Sequence, residues 1–222
     1  KGICCDMNEK FFDLKKEKQD RMINAALKVF ALNGYRHAST DDIVREAAIS
    51  KGLLFHYFEN KLGVYAFVYD YSVRYLLLEL STAVDAKETD LFTLMQQVET
   101  GKMHAMCGYP YLQPFLNRAQ AENVNEALVA VEERKQQMEE AYENIYARAD
   151  LGKYAAAEDV MKLRKMMELT IKGLMNERIL EDAFQPEMLY EEILEYLQLS
   201  RRLAERSGPV SYTHLTLPTT SR

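Results

Sequence analysis

The sequence sustains the three-and-four spacing of an α-helix over almost its whole length, and this excludes more folds than any other feature of the chain. Ile23, Ala26, Leu27 and Phe30 fall on one face of such a helix, and Val64, Phe67, Val68, Tyr71, Tyr75 and Leu78 on one face of another. Helix breakers are sparse, with 9 Gly and 5 Pro in 222 residues. No stretch alternates apolar and polar residues long enough to make a strand. The fold class is therefore all-α. The spacing predicts helices over 18–32, 40–47, from 50 or 51, and over 61–83, 90–107, 111–119, 121–149, 156–183 and 186–206.

The N-terminal part carries punctuation for short helices. Asn33-Gly34 supplies a left-handed stop, Ser39 can cap a helix beginning at Thr40, and Asp42 occupies the reciprocal capping-box position. The turn Ala48-Ile49 precedes a helix that starts at Ser50 or Lys51, and Asn60 can cap the next one. Two short helices joined by a tight turn behind a longer bracing helix have the dimensions of a helix-turn-helix.

Charge supports this division. The net charge of −6 is uneven: residues 1–62 hold 11 Lys+Arg against 9 Asp+Glu, which is +2, leaving 17 against 25, or −8, for the remainder. Three cysteines, Cys4, Cys5 and Cys107, form no disulfide framework, and no Cys/His cluster sets up a metal site. No Gly-rich phosphate loop, His ligand pair or serine elbow is present, so neither an enzyme nor a cofactor is expected. No apolar run approaches the roughly 18 residues that span a bilayer, and a cytoplasmic location is expected.

Between residues 21 and 64 the run RMINAALKVFALNGYRHASTDDIVREAAISKGLLFHYFENKLGV resembles the N-terminal DNA-binding domain of the tetracycline-repressor (TetR) family. The resemblance rests on Ala25-Ala26, Phe30, Gly34-Tyr35, Ser39-Thr40, Asp42-Ile43, Ala47, Ser50-Lys51-Gly52, Leu54, His56-Tyr57-Phe58 and Asn60-Lys61. It implies an all-α chain with an N-terminal three-helix helix-turn-helix DNA-binding domain followed by a helical ligand-binding and dimerisation domain, and a transcriptional regulator, most simply a repressor, that binds a palindromic double-stranded operator as a homodimer and is released by a small molecule. A helical protein-interaction module, or a ligand-independent DNA-binding protein of the same fold, is the alternative. Three positions depart from the family: Ala48 replaces a turn glycine, Phe55 a tyrosine and Leu53 a threonine. Base preference is therefore expected to differ at Leu53 and Phe55, and the turn at Ala48 to be strained.

A recognition helix presents its first turn to the major groove and uses its other face to hold itself in place. Ser50, Lys51, Gly52, Leu53, Phe55, His56 and Tyr57 are thus the candidate DNA-reading residues, with Leu54 and Phe58 facing inward. Ser39 and Thr40 can offer a hydroxyl or a backbone amide to phosphate, and Arg45 is exposed by periodicity. Lys61 sits in the first turn of a helix, against its dipole, and is expected to find an external partner in a phosphate.

In the second domain, Met95, Met103, Met106, Tyr109, Tyr111, Phe115, Met138, Tyr142, Met166 and Met175 are candidates to line an adaptable pocket for an apolar or aromatic effector, with Glu99 and His104 as polar anchors. Core packing is the alternative for each of them. Val160, Leu163, Met167, Ile171 and Leu174 form one stripe and Leu189, Ile193, Tyr196, Leu197 and Ser200 another, enough for a four-helix bundle across a two-fold axis; burial within one chain is the alternative. Domain bounds are expected at 1–17 for an extension that is part leader or disordered, 18–62 for DNA binding, 63–206 for ligand and dimer, and 207–222 for a disordered tail. The VSYTHLTLPTT run of that tail resembles translated adapter sequence rather than native protein.

Overall fold

A computed structural model describes residues 10–154, 156–180 and 184–206. Expectations for residues 1–9, for 181–183 and for the 207–222 tail lie outside the described residues. Among the described residues the structure is entirely helical, with no strand. After a short helical turn at 10–12 come α1 Lys16–His37, α2 Thr40–Glu46, α3 Lys51–Phe58, α4 Lys61–Ala83, α5 Leu91–Gly108, α6 Leu112–Gln120 and α7 Asn125–Tyr146. A 3₁₀ turn at Leu151–Lys153 then leads to α8 Ala157–Arg178 and α9 Pro186–Arg206.

Local chemistry explains most boundaries. Gly34 takes φ 67° inside α1 and breaks its helical geometry where the left-handed stop is expected. The side chains of Ser39, Ser50, Asn60 and Asp90 accept from backbone N–H groups in the first turns of α2, α3, α4 and α5. The capping box does not close: Asp42 pairs with Arg45 three residues on, not with the N–H of Ser39. Helix α7 starts four residues later than predicted, because the Glu122 carboxylate caps a turn by accepting from the N–H groups of Asn123 and Val124, at 2.9 and 3.1 Å.

Two hydrophobic cores result. The first runs without a break from α1, α2 and α3 into α4, α6 and α7, through Phe30, Ile43, Leu54, Tyr65, Phe115 and Met138. Phe11 is fully buried in it and packs 5.3 Å from Phe58 and 4.9 Å from Phe67. Gln19 donates to the Phe12 and Leu14 carbonyls. Residues 10–17 are therefore part of the fold, which corrects the expected extension over that stretch.

The second core joins α5, α8 and α9, and it contains the stripes expected to make the dimer. Val160, Met167, Ile171, Leu189, Ile193 and Leu197 are buried within the single chain, with Leu163 and Leu174 packed against them. These helices turn another face outward, carrying Met166, Leu169, Met188, Tyr196 and Leu199. The period of 3.6 was read correctly, but both helices are apolar on two sides, so spacing alone did not say which side closes the monomer.

Candidate nucleic-acid interface and ligand pocket

Helix α3 is anchored by Leu54 and Phe58, 1% and 5% exposed, each contributing about 1.5–3 kcal/mol by burial. With that face fixed, Lys51, Gly52 and His56 are exposed and Leu53, Phe55 and Tyr57 half-buried along the opposite side. Ser50 is occupied as the cap, its Oγ accepting from the Leu53 N–H at 3.2 Å. Lys51 reaches Asp41 at 2.8 Å and lies 6.0 Å from the centre of the Phe55 ring. The Tyr57 ring packs edge-on against Phe11 and His56, at 5.7 and 4.9 Å, and so stiffens the exposed end of the helix.

Ser39 and Thr40 stand half-exposed at the head of α2, and Arg45, three-quarters exposed, leans on Asp42. Two non-glycine residues with positive φ bracket α3: Ala48 at 51° in the turn before it and Glu59 at 58° after it. The strain expected at Ala48 is thus present in the backbone. Gly63 permits the next connection, because a Cβ there would stand 2.0 Å from the Phe58 carbonyl oxygen.

Lys61 is corrected. Its ammonium donates to the carbonyls of Tyr35, Arg36 and Ala38 at 2.9, 3.4 and 3.3 Å and sits 4.5 Å over the Tyr35 ring. The field it opposes at its own helix is replaced by the negative C-terminal end of α1, so its partner lies inside the fold. It fixes α4 against the end of α1; no phosphate is needed to explain it.

Four of the ten predicted pocket residues, Met95, Met138, Tyr142 and Met175, share one cavity. This cavity of about 220 Å³ opens between α5, α6, α7 and α8, and the four line it together with Tyr146 and Ile171. Phe115 is instead in the first core, against Phe30, Tyr65 and Tyr69. Met106 is in the second core, Met103 faces the Cys107 thiol, and Met166 is 61% exposed on the outer face of α8. Tyr111 borders a shallow cleft beside Lys28. Tyr109 donates to Asp20 at 2.6 Å, lies 2.6 Å from the Tyr71 hydroxyl and accepts from Lys16 at 3.1 Å. Burial and the bond to Asp20 hold its phenol far above the usual range.

The pocket is more polar than expected. Glu99 lines the cavity, buried beside Lys102 at 2.6 Å, whereas His104 lies exposed near Glu79. Burial alone would lower the Lys102 pKa, but the Glu99 carboxylate outweighs it and the ammonium stays charged. Arg164 lies 3.9 Å over the Tyr146 ring. Sequence reasoning missed Lys102, Gln113, Asn117, Gln120 and Arg164. The signal was available on α6, where Gln113, Asn117 and Gln120 make a polar stripe at four and three spacing beside the apolar Leu112, Phe115, Leu116 and Ala119.

Among the described residues no group of acidic, His and Cys side chains could hold a metal ion, and no helix is long and apolar enough to cross a membrane.

Comparison with known proteins matches residues 22–66 to a family described as "Bacterial regulatory proteins, tetR family". An uncharacterized HTH-type transcriptional regulator of Bacillus subtilis, YuxN, is 36% identical over 78 residues, covering 33% of this chain and 26% of that protein. Another uncharacterized HTH-type regulator, TtgW of Pseudomonas putida, is 41% identical over 49 residues, 22% of this chain and 37% of its own. The matched region thus spans well under half the length of either relative. A solved TetR family transcriptional regulator from Chloroflexus aurantiacus shares the fold at TM-score 0.53 and 23% identity, over 89% of this chain and 92% of its own. One from Shewanella does so at TM-score 0.52 and 16% identity, over 85% and 96%.

Proposed function

We propose that this chain, which belongs to the tetR family of bacterial regulatory proteins, is a cytoplasmic transcriptional repressor that binds a palindromic operator as a homodimer and releases it when a small molecule fills the α5–α8 pocket. The observation that carries the reading is α3: an eight-residue helix held from behind by Leu54 and Phe58, with Lys51, Gly52 and His56 exposed at its front. That is the geometry by which a helix enters a major groove.

One such helix reads only a few base pairs, so a useful site length needs two copies. The outward apolar faces of α8 and α9, bearing Met166, Leu169, Met188, Tyr196 and Leu199, support the dimer. They take over the role first given to the buried stripes.

Release follows from α6. One side of this helix lines the pocket through Gln113, Asn117 and Gln120. Its other side and the turn after it meet the end of α1: Glu122 accepts from the Tyr35 N–H at 2.9 Å, and Arg118 lies against Gly34. A ligand that displaces α6 changes the relative free energies of DNA-competent and incompetent arrangements by the difference in its affinity for the two.

A gel shift on a palindromic fragment from upstream of the gene tests the reading. Regulation predicts a discrete complex that weakens as salt rises, as counterion release from phosphate requires. A protein-interaction module gives no shift at any salt.

A further inference from the structure

The inner wall of the α5–α8 pocket carries one unbalanced charge and one unused acceptor. Glu99 and Lys102 neutralise each other at 2.6 Å, and the remaining charged lining residues, Arg164, Glu168 and Lys172, sum to +1. Glu168 lies 3.2 Å from Arg164 Nε without a hydrogen bond to it and 3.5 Å from Lys165, while exposed Lys172 donates to Gln120 Oε1 at 3.0 Å. The Gln113 side chain is 6% exposed and its Oε1 has no partner. Its orientation is fixed by a relay: Gln113 Nε2 donates to Asn117 Oδ1 at 2.9 Å, and Asn117 Nδ2 donates to the Met175 sulfur at 3.2 Å. Reversing the amides would set the Asn117 oxygen against the thioether, so the open group is an acceptor.

A buried acceptor left without a partner costs free energy that a ligand can recover, and a site lined with a net positive charge favours an anion. The remaining walls are Met95, Met138, Ile171 and Met175 with the rings of Tyr142 and Tyr146, surfaces that favour a flat ring through sulfur and edge contacts. A volume of about 220 Å³ is below the range of drug-sized pockets. We propose that the effector is a small aromatic monocarboxylate whose ring also carries a hydrogen-bond donor, with the carboxylate on Arg164 and the donor on Gln113. This rests on the reading of the chain as a ligand-released regulator and names the ligand class of that site.

Calorimetric titration of the purified full chain, without DNA, tests it with three sets of probes: 3- and 4-hydroxybenzoate, the matching hydroxybenzamides, and the matching hydroxybenzylamines. The acids are expected to bind at least about tenfold more tightly than the amides, and the amines not at all. Arg164→Met is expected to abolish the preference for acid over amide. Gln113→Leu is expected to remove the roughly fivefold advantage of the hydroxybenzoates over benzoate while leaving benzoate unchanged, a ratio that a general loss of stability does not produce. Binding of amides or amines as tight as that of the acids, or no binding of either acid at millimolar concentration, overturns the proposal. An operator gel shift on the same preparation separates the two failures: an intact shift without acid binding removes the ligand class alone, whereas absence of any shift removes the regulator reading itself.

Discussion

Ala48 and Lys61 show how much a single position decides. Ala48 holds φ 51° in the turn before α3, a conformation that costs an L-residue about 1–2 kcal/mol. Glycine would relieve that cost but loses roughly 0.4–1 kcal/mol through its freer unfolded chain, so Ala48→Gly is expected to stabilise the protein by about 0.5 kcal/mol, read as a raised urea midpoint at unchanged m-value. A lowered midpoint would show that the turn is not strained. The three carbonyl bonds of Lys61 predict that Lys61→Met destabilises the fold by about 1–2 kcal/mol in the absence of DNA, a loss that a phosphate contact would not produce. Ala48 was legible because a missing turn glycine is a local signal. The partner of Lys61 was not, since the residues that supply its acceptors lie 23 to 26 positions earlier in the chain.

At the level of elements, spacing located α1 to α9 but not the short turns at 10–12 and 151–153, and errors arose where a helix has more than one buried face. On α6 the apolar side is core and the amide stripe is pocket, so a search for Met and aromatic residues found the wrong side. If α6 links pocket and DNA-binding domain through Glu122, then Glu122→Gln, which keeps the shape but weakens the charge-assisted bond to Tyr35, should reduce ligand-induced operator release while leaving ligand affinity unchanged. Equal release by the variant in an anisotropy titration would remove α6 from the mechanism.

Asp90 ties other elements together, capping α5, pairing with Arg201 of α9 and accepting from Tyr154 at 3.2 Å. Burial would raise its pKa, but the Thr93 bonds and Arg201 outweigh it and hold the carboxyl below its ordinary value. A depressed folded-state pKa means the contribution is complete above the unfolded pKa of about 3.9 and is lost as pH falls through the folded value. Asp20 and Glu122 act in the same direction. Stability is therefore expected to be flat in these groups from pH 7 to about 5 and to fall below about pH 4, with a shallower fall in Asp90→Asn, as followed by circular dichroism at graded pH.

The whole molecule is two cores sharing helix α5, and this explains what the sequence could not allocate. Leu91 and Met95 of α5 join α8 and α9, while Val98 and Ala105 belong to the core continuous with the DNA-binding helices. A boundary at residue 62 therefore crosses a packed interior rather than a linker. The inner stripes of α8 and α9 are buried within the chain, and their outer faces stay apolar and exposed. Paired substitutions Leu169→Glu and Leu199→Glu, both at positions about half exposed, are expected to leave the fold intact but produce monomers in sedimentation equilibrium. A dimer that persists would place the two-fold contact elsewhere.

The central claim is that the exposed side of α3 reads DNA. Its most direct test is operator affinity by fluorescence anisotropy across a salt series for the wild type, Lys51→Ala and His56→Ala. Both side chains are exposed, so folding should be unaffected. The account predicts that each substitution weakens binding by about 1–3 kcal/mol, and that the loss of Lys51 also flattens the dependence of log K on log salt by about one unit. Wild-type affinity and slope in both variants would contradict it.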